Sequence, residues 1–184
     1  MPDRATNPPT VDERLTLETA IIAGRLAQVL GASKVSQAAQ PAVTFLRSVY
    51  ERTLGADTPP ERWRARIASR ADPASPHPID RLARAYELSP TELDLLVLAG
   101  MVEEHEGFAS VMRTLHPLGE PRPTLGLAAQ MLCPTVADRA DLRRVIEVGR
   151  AFEASLVRIE GGAPLYERSL TLAEGLWPAL AGVA

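Results

Sequence analysis

The chain predicts a mainly α fold, a helical bundle closed by a C-terminal β-hairpin. Three observations carry this reading. Apolar residues recur at three- and four-residue spacing along most of the sequence, and helix-start signals precede many of these runs. Aromatic residues make up only 4% of the 184 positions while 46% are hydrophobic, so aliphatic side chains and alanine must fill the core, which favours close helix packing over a sheet sandwich. A Gly161-Gly162-Ala163-Pro164 turn between two short apolar-polar runs supplies the hairpin.

Residues 1–10 are polar and Pro-rich and are expected to form a disordered tail. Thr10 and Glu13 read as a capping box for a first helix, which carries Leu15, Ile22, Leu26 and Val29 up to Gly31. Residues 31–40 are a small, polar connection. Pro41 opens a second helix with Ala42, Phe45, Leu46, Val49 and Tyr50 on its apolar face, and Gly55 ends it. Thr58-Pro59-Pro60 starts a third, arginine-rich helix. Residues 72–78 then place three prolines in seven positions, the clearest internal break. The expected organisation is an N-terminal helical extension over 11–72 and a main domain over 78–184.

In the main domain Ile79, Leu82, Ala83 and Tyr86 mark a short amphipathic helix. Ser89-Pro90-Thr91-Glu92 is a helix start with cap, proline and a Glu that reaches back. The Leu93–Met101 run that follows is apolar nearly all round, as a buried central helix must be. Phe108, Val111, Met112 and Leu115 mark another helix. Pro121-Arg122-Pro123-Thr124 caps the helix of Leu125–Cys133, and Thr135 opens one through Leu142, Val145 and Ile146. Runs 154–159 and 165–170 form the hairpin, and Thr171 with Glu174 caps a last helix carrying Leu172, Leu176, Trp177 and Leu180. Several helices, a hairpin and a final helix is the order of a winged-helix-like domain.

Few residues here suit bond-making chemistry. The only lysine, Lys34, lacks the glycine spacing and following helix of a phosphate-cradling loop, and no GxGxxG follows a strand. His77, His105 and His116 are scattered, without the paired spacing of zinc ligands. Glu103-Glu104-His105-Glu106 is dense in ionisable groups, but neighbouring residues of a helix point in different directions, so it reads as a solvated helix end. Cys133, the single cysteine, lies between Leu132 and Pro134 and reads as a buried, inert thiol. No serine sits in a GxSxG elbow. The chain is expected to be no enzyme and to hold no cofactor or metal.

A net charge of −3 argues against a general nucleic-acid binder. Two groups of arginines, Arg62, Arg64, Arg66 and Arg70, and Arg139, Arg143, Arg144 and Arg150, could still form basic patches. Arg62, Arg66 and Arg70 align on one helix face at a spacing of four. As contact residues for a protein partner, Arg62, Arg66 and Arg70 with Trp63 as apolar anchor are the candidates, since Arg and Trp are enriched among binding hot spots. If the domain read DNA, the helix before the hairpin in space would be Leu125–Cys133, whose only polar side chain is Gln130. That helix suits burial against protein, not contact with base edges.

From Ile79 onward, the segments LARAYELSPTELDLLVLAGMV, RPTLGLAAQMLC and IEGGAPLYERSLTLAEGLWPALAG resemble the winged-helix-like domain that precedes the ATPase core in bacterial AAA+ ATPases encoded with contractile, phage-tail-like injection systems. The middle segment is the most specific. An ATPase core would follow the last helix in that family, whereas this sequence ends at Ala184, and no residue matches the motifs of ATP hydrolysis. The resemblance implies an adaptor or regulatory role through protein contacts, with an AAA+ ATPase or an injection-system component as partner. Apolar faces at Leu93–Met101 and Leu125–Cys133 would line the docking groove. The alternative is a winged-helix DNA-binding transcription regulator; a third option is self-association through the first two helices. Nucleic acid and membrane are not expected partners. No signal peptide is recognisable and no apolar run nears the ~20 residues that span a bilayer, which points to the cytoplasm.

Overall fold

The apolar repeats of the sequence become helices in the computed structural model, which describes residues 11–32, 37–56, 59–60, 62–63 and 76–182. Helices α1 (Val11–Ala32) and α2 (Gln40–Leu54) pack against each other over most of their length. Leu15, Ile22, Leu26 and Leu30 of α1 turn into the main core beside Val43 and Leu46 of α2. On another side of α1, Ala20 and Ile21 join Tyr50 and Leu54 in a smaller cluster. By length and composition the Glu13–Ala32 stretch would suffice to cross a bilayer, contrary to the reading of the sequence, but 61% of that stretch is buried inside the fold. A helix buried on two sides has to be this apolar.

Helix α3 (Pro78–Ala85) starts at His77, whose Nδ1 accepts from the Ile79 N–H at 3.1 Å. Helix α4 (Pro90–Glu104) is the centre of the fold. The Ser89 Oγ and Glu92 carboxylate cap its start reciprocally, and Leu95, Leu96, Val97, Leu98 and Met101 are buried almost completely. Around α4 pack α1, α5 (Glu106–Leu115), α6 (Leu125–Leu132), α7 (Val136–Val148), α8 (Arg150–Glu153) and the hairpin. Strands β1 (Val157–Glu160) and β2 (Ser169–Leu172) are antiparallel, pairing Val157 with Leu172 and Glu160 with Ser169. A single antiparallel bridge between Thr124 and Ser169 adds the stub of a third strand. Helix α9 (Leu176–Leu180) brings Trp177 back onto α4.

Trp177 packs against α4 at a glycine, where the helix has no side chain. A Cβ at Gly100 would come within 2.0 Å of the Trp177 ring, and the indole N–H donates to Glu104 at 3.1 Å. Tyr50 sits over Gly24 in the same way, with 2.5 Å to a Cβ built there. In a chain with few aromatic residues, Trp177 and Tyr50 pack against a bare stretch of helix backbone.

Buried residues from Leu15 to Leu46 and from Ile79 to Leu180 share one hydrophobic cluster. Expectations for the C-terminal elements are corrected. The hairpin strands begin three to four residues later than predicted: Ala154–Leu156 form a turn with Ser155 at φ 55, and Leu165–Glu167 are a 3-10 turn. Thr171 cannot cap a helix because it is paired with Arg158, and α9 begins instead after Gly175 at φ 75. Most of the apolar runs 93–101 and 125–133 is buried core, with Leu93, Gly126 and Leu132 only partly covered and Gln130 exposed.

Replacing Gly100 by alanine should force Trp177 out of its seat. We expect a loss of about 1–3 kcal/mol in urea denaturation, the usual range for overpacking, with a shift in tryptophan emission.

Candidate functional site

Helix α7 (Val136–Val148) and the hairpin expose Arg139, Arg143, Arg144 and Arg158, and α7 exposes the apolar Val136 and Val148 beside them. Helix α6 ends at Leu132, Cys133-Pro134-Thr135 make the turn, and α7 follows. Two helices joined by three residues, then a hairpin, form a helix-turn-helix with a wing. Position in this order makes α7, and not the predicted Leu125–Cys133 helix, the equivalent of a recognition helix. Burial gives the same result: α6 is largely core, whereas α7 buries fully only Leu142.

Thr135 starts α7. Its backbone N–H and hydroxyl both donate to Asp138, at 2.8 and 2.6 Å, and these bonds hold the Asp138 carboxyl below the usual carboxylate range. Arg139 and Arg143, one turn apart, both stand over the Tyr166 ring, with guanidinium carbons 5.8 and 5.7 Å from its centroid. The Arg143 Nε–H also donates to the Tyr166 hydroxyl at 3.3 Å. Tyr166 belongs to the 3-10 turn of the wing, whose backbone rests on α6: a Cβ at Gly126 would lie 2.7 Å from the Tyr166 carbonyl oxygen. Arg144, Ala137 and Ala140 face outward, and Val136 and Val148 are 86% and 60% exposed. Together α7 and the hairpin (136–148 and 157–172) carry five arginines and five carboxylates, so this surface is close to neutral.

Two buried polar clusters anchor the wing. Glu92, while capping α4, also accepts the Ala151 N–H at 2.9 Å and so caps the start of α8. Burial pushes its carboxyl up, but hydrogen bonds from the Ser89 hydroxyl and from the backbone of Ala151, Ser89 and Arg150 outweigh this and hold it below its ordinary value. The second cluster joins α5 to β2. His116 Nε2 lies 3.0 Å from Ser169 Oγ, which donates to Glu120 at 2.7 Å. Ser, His and Glu in contact invite a reading as a nucleophilic triad, yet the directions are wrong for it. His116 Nδ1 accepts the Leu118 N–H at 3.0 Å, so in the neutral ring the proton is on Nε2 and points at Ser169. The imidazole therefore cannot take the serine proton.

The remaining sequence candidates fall out simply. Each histidine accepts the N–H two residues ahead: His77 from Ile79, His105 from Gly107 and His116 from Leu118. No group of three or more His, Cys, Asp and Glu suited to a metal occurs among the described residues. Cys133 is buried and donates to the Asp138 carbonyl at 3.4 Å; burial, with the Asp138 and Asp141 charges, pushes its thiol up against a smaller pull from Arg139. Glu104 is not merely solvated, since it holds the Trp177 N–H. A cavity of about 220 Å³ bordered by Ile79, Leu88, Leu93 and Val97 contains Arg14, already paired with Glu18 and Asp80. Arg62 is exposed and Trp63 is partly buried against the Tyr50 cluster, while Arg66 and Arg70 lie outside the described residues. The Arg139, Arg143 and Tyr166 arrangement was not legible beforehand, because its third member comes from a turn 23 residues beyond Arg143.

A family model described as a winged helix domain, variant, matches residues 14–176. Neither the curated proteins nor the solved structures include a significant match.

Two substitutions test the anchors. Glu92→Gln should cost about 1–3 kcal/mol by weakening bonds to two helix starts. Because the folded-state carboxyl is held low, the wild-type contribution is complete above the ordinary glutamate pKa of about 4.3 and is lost as pH falls through the folded value. The stability gap between wild type and variant should therefore close in acid, as urea titrations at several pH values would show. Ser169→Ala should leave the His116 N–H and Glu120 without their shared partner. Thermal melts should register a loss of about 1–3 kcal/mol.

Proposed function

Because the chain belongs to the variant winged helix family, as the match over 14–176 shows, we propose that it works as a non-catalytic protein-interaction module that engages its partner through α7 and the wing. The setting we propose is that of its resemblance, the domain before the ATPase core in AAA+ ATPases of contractile injection systems, with an ATPase or an injection-system component as partner. One observation carries the reading: the helix in the recognition position is exposed but electrically balanced. A DNA reader needs an excess of cations to displace counterions and Arg, Lys, Asn or Gln to reach base edges. Helix α7 has no Lys, Asn or Gln, offsets its three arginines with Asp138, Asp141 and Glu147, and exposes Val136 and Val148. Exposed valines beside charges suit a protein surface.

The second reading, a DNA-binding transcription regulator, is favoured by Arg139, Arg143 and Arg144, all exposed on α7. The two separate by experiment. A photo-crosslinking residue at Ala140 should capture protein in native cells, while the same residue at Glu103, on the far end of α4, should not. In fluorescence anisotropy, labelled duplexes should bind no tighter than the non-specific range of about 10⁻⁴ to 10⁻⁶ M. Nanomolar, steeply salt-dependent duplex binding that disappears on Arg139→Ala and Arg143→Ala would reverse the order of the two readings. A captured protein unrelated to ATPases or injection systems would discard the setting and keep the module.

A further inference from the structure

Resting on the interaction reading above, we infer that Arg139, Arg143 and Tyr166 form a docking site for an acidic segment of the partner, one that presents two carboxylates about a helical turn apart beside apolar side chains. Some surface arginines of the described fold pair with a carboxylate, as Arg122 with Glu160 and Arg150 with Glu153, whereas Arg139 and Arg143 converge on one aromatic ring. Arg139 and Arg143 have no ion pair with any described residue. The carboxylates nearest in sequence do not pair with them. Asp138 is held by Thr135. Asp141 lies on the opposite flank of α7, roughly 160° around the axis from Arg143. Glu147, one turn beyond Arg143, and Glu167, next to Tyr166, are exposed and form no ion pair with any described residue.

The two guanidinium groups are also ordered in advance. A planar cation over an aromatic face gives up less freedom when it meets a carboxylate than a free side chain does. The ring beneath them is fixed by the seat of its backbone on Gly126 and by the Arg143 bond to its hydroxyl. Terminal nitrogens of both arginines remain to donate, in the fork geometry that matches carboxylates. Val136, three residues before Arg139 and seven before Arg143, continues the same stripe along the helix, which adds an apolar contact next to the charges.

Two features select a peptide over a nucleic acid. Glu147 and Glu167 border the site and would repel a continuous polyanion, while discrete carboxylates can be placed between them. Val136 offers nothing to a sugar-phosphate backbone.

The test is NMR titration of the full chain, following backbone amides and arginine Nε–H signals. The probes are a synthetic peptide of roughly 16 residues, long enough to form a helix, with Glu pairs one turn apart among Leu and Ala; the same peptide with Gln for Glu; and a short DNA duplex. The acidic peptide should shift Arg139 and Arg143 saturably, and the Gln peptide should bind at least ~10-fold more weakly. Arg139→Gln with Arg143→Gln should lose a similar factor at an unchanged melting temperature. Tyr166→Leu, which keeps both charges, should weaken binding severalfold. Absence of a saturable shift, equal binding of the Gln peptide, or a duplex that shifts these signals at lower concentration overturns the inference. If Ala140 still captures its protein at full yield in the arginine double variant, the acidic site is wrong and the module stands; no capture in wild type removes the module itself.

Discussion

A helix without a polar face can exist in water only if other elements surround it, and Pro90–Glu104 is such a helix. That requirement organises the molecule. α1 and α5 cover it, Trp177 lies on it at Gly100, and the hairpin closes over it. Besides this direct packing, one carboxylate links the centre to the wing, because Glu92 caps both α4 and the short α8 that leads into β1. A buried carboxylate is costly unless its lone pairs are satisfied, and here two helix starts satisfy them.

The core of this arrangement was legible in the sequence; its exposed face was not. Ser89-Pro90-Thr91-Glu92 announces the start of α4, and an apolar run through Met101 announces its burial, because both signals are local. Thr124 and Thr135 likewise mark the starts of α6 and α7 where they occur. The second bond of Glu92 joins residues 59 positions apart and leaves no local trace. Local pattern also led to the wrong recognition helix. Apolar content identifies α6 as a helix but cannot say that the more polar α7 is the one left outside. The hairpin register slipped for a related reason: residues 154–156 alternate like a strand, but Ser155 takes a positive φ and ends the turn that follows α8.

The α7 surface shows why a shared architecture does not fix a shared ligand. Its place in the helix-turn-helix is that of a base-reading helix, yet its carboxylates match its arginines in number. Recognition of a protein requires only that charges be placed well against the partner, not that one sign prevail. The Arg139, Arg143 and Tyr166 stack arises from three residues that the chain brings together only after the wing folds back on α6.

The seat of Tyr166 on Gly126 has a kinetic consequence. With its backbone lodged against α6, the turn that carries Tyr166 would offer a partner at the proposed face a preset backbone, so that docking there would need collision and side-chain adjustment without a prior rearrangement of this turn. Affinity differences among partners would then be expressed chiefly in how long each complex lasts.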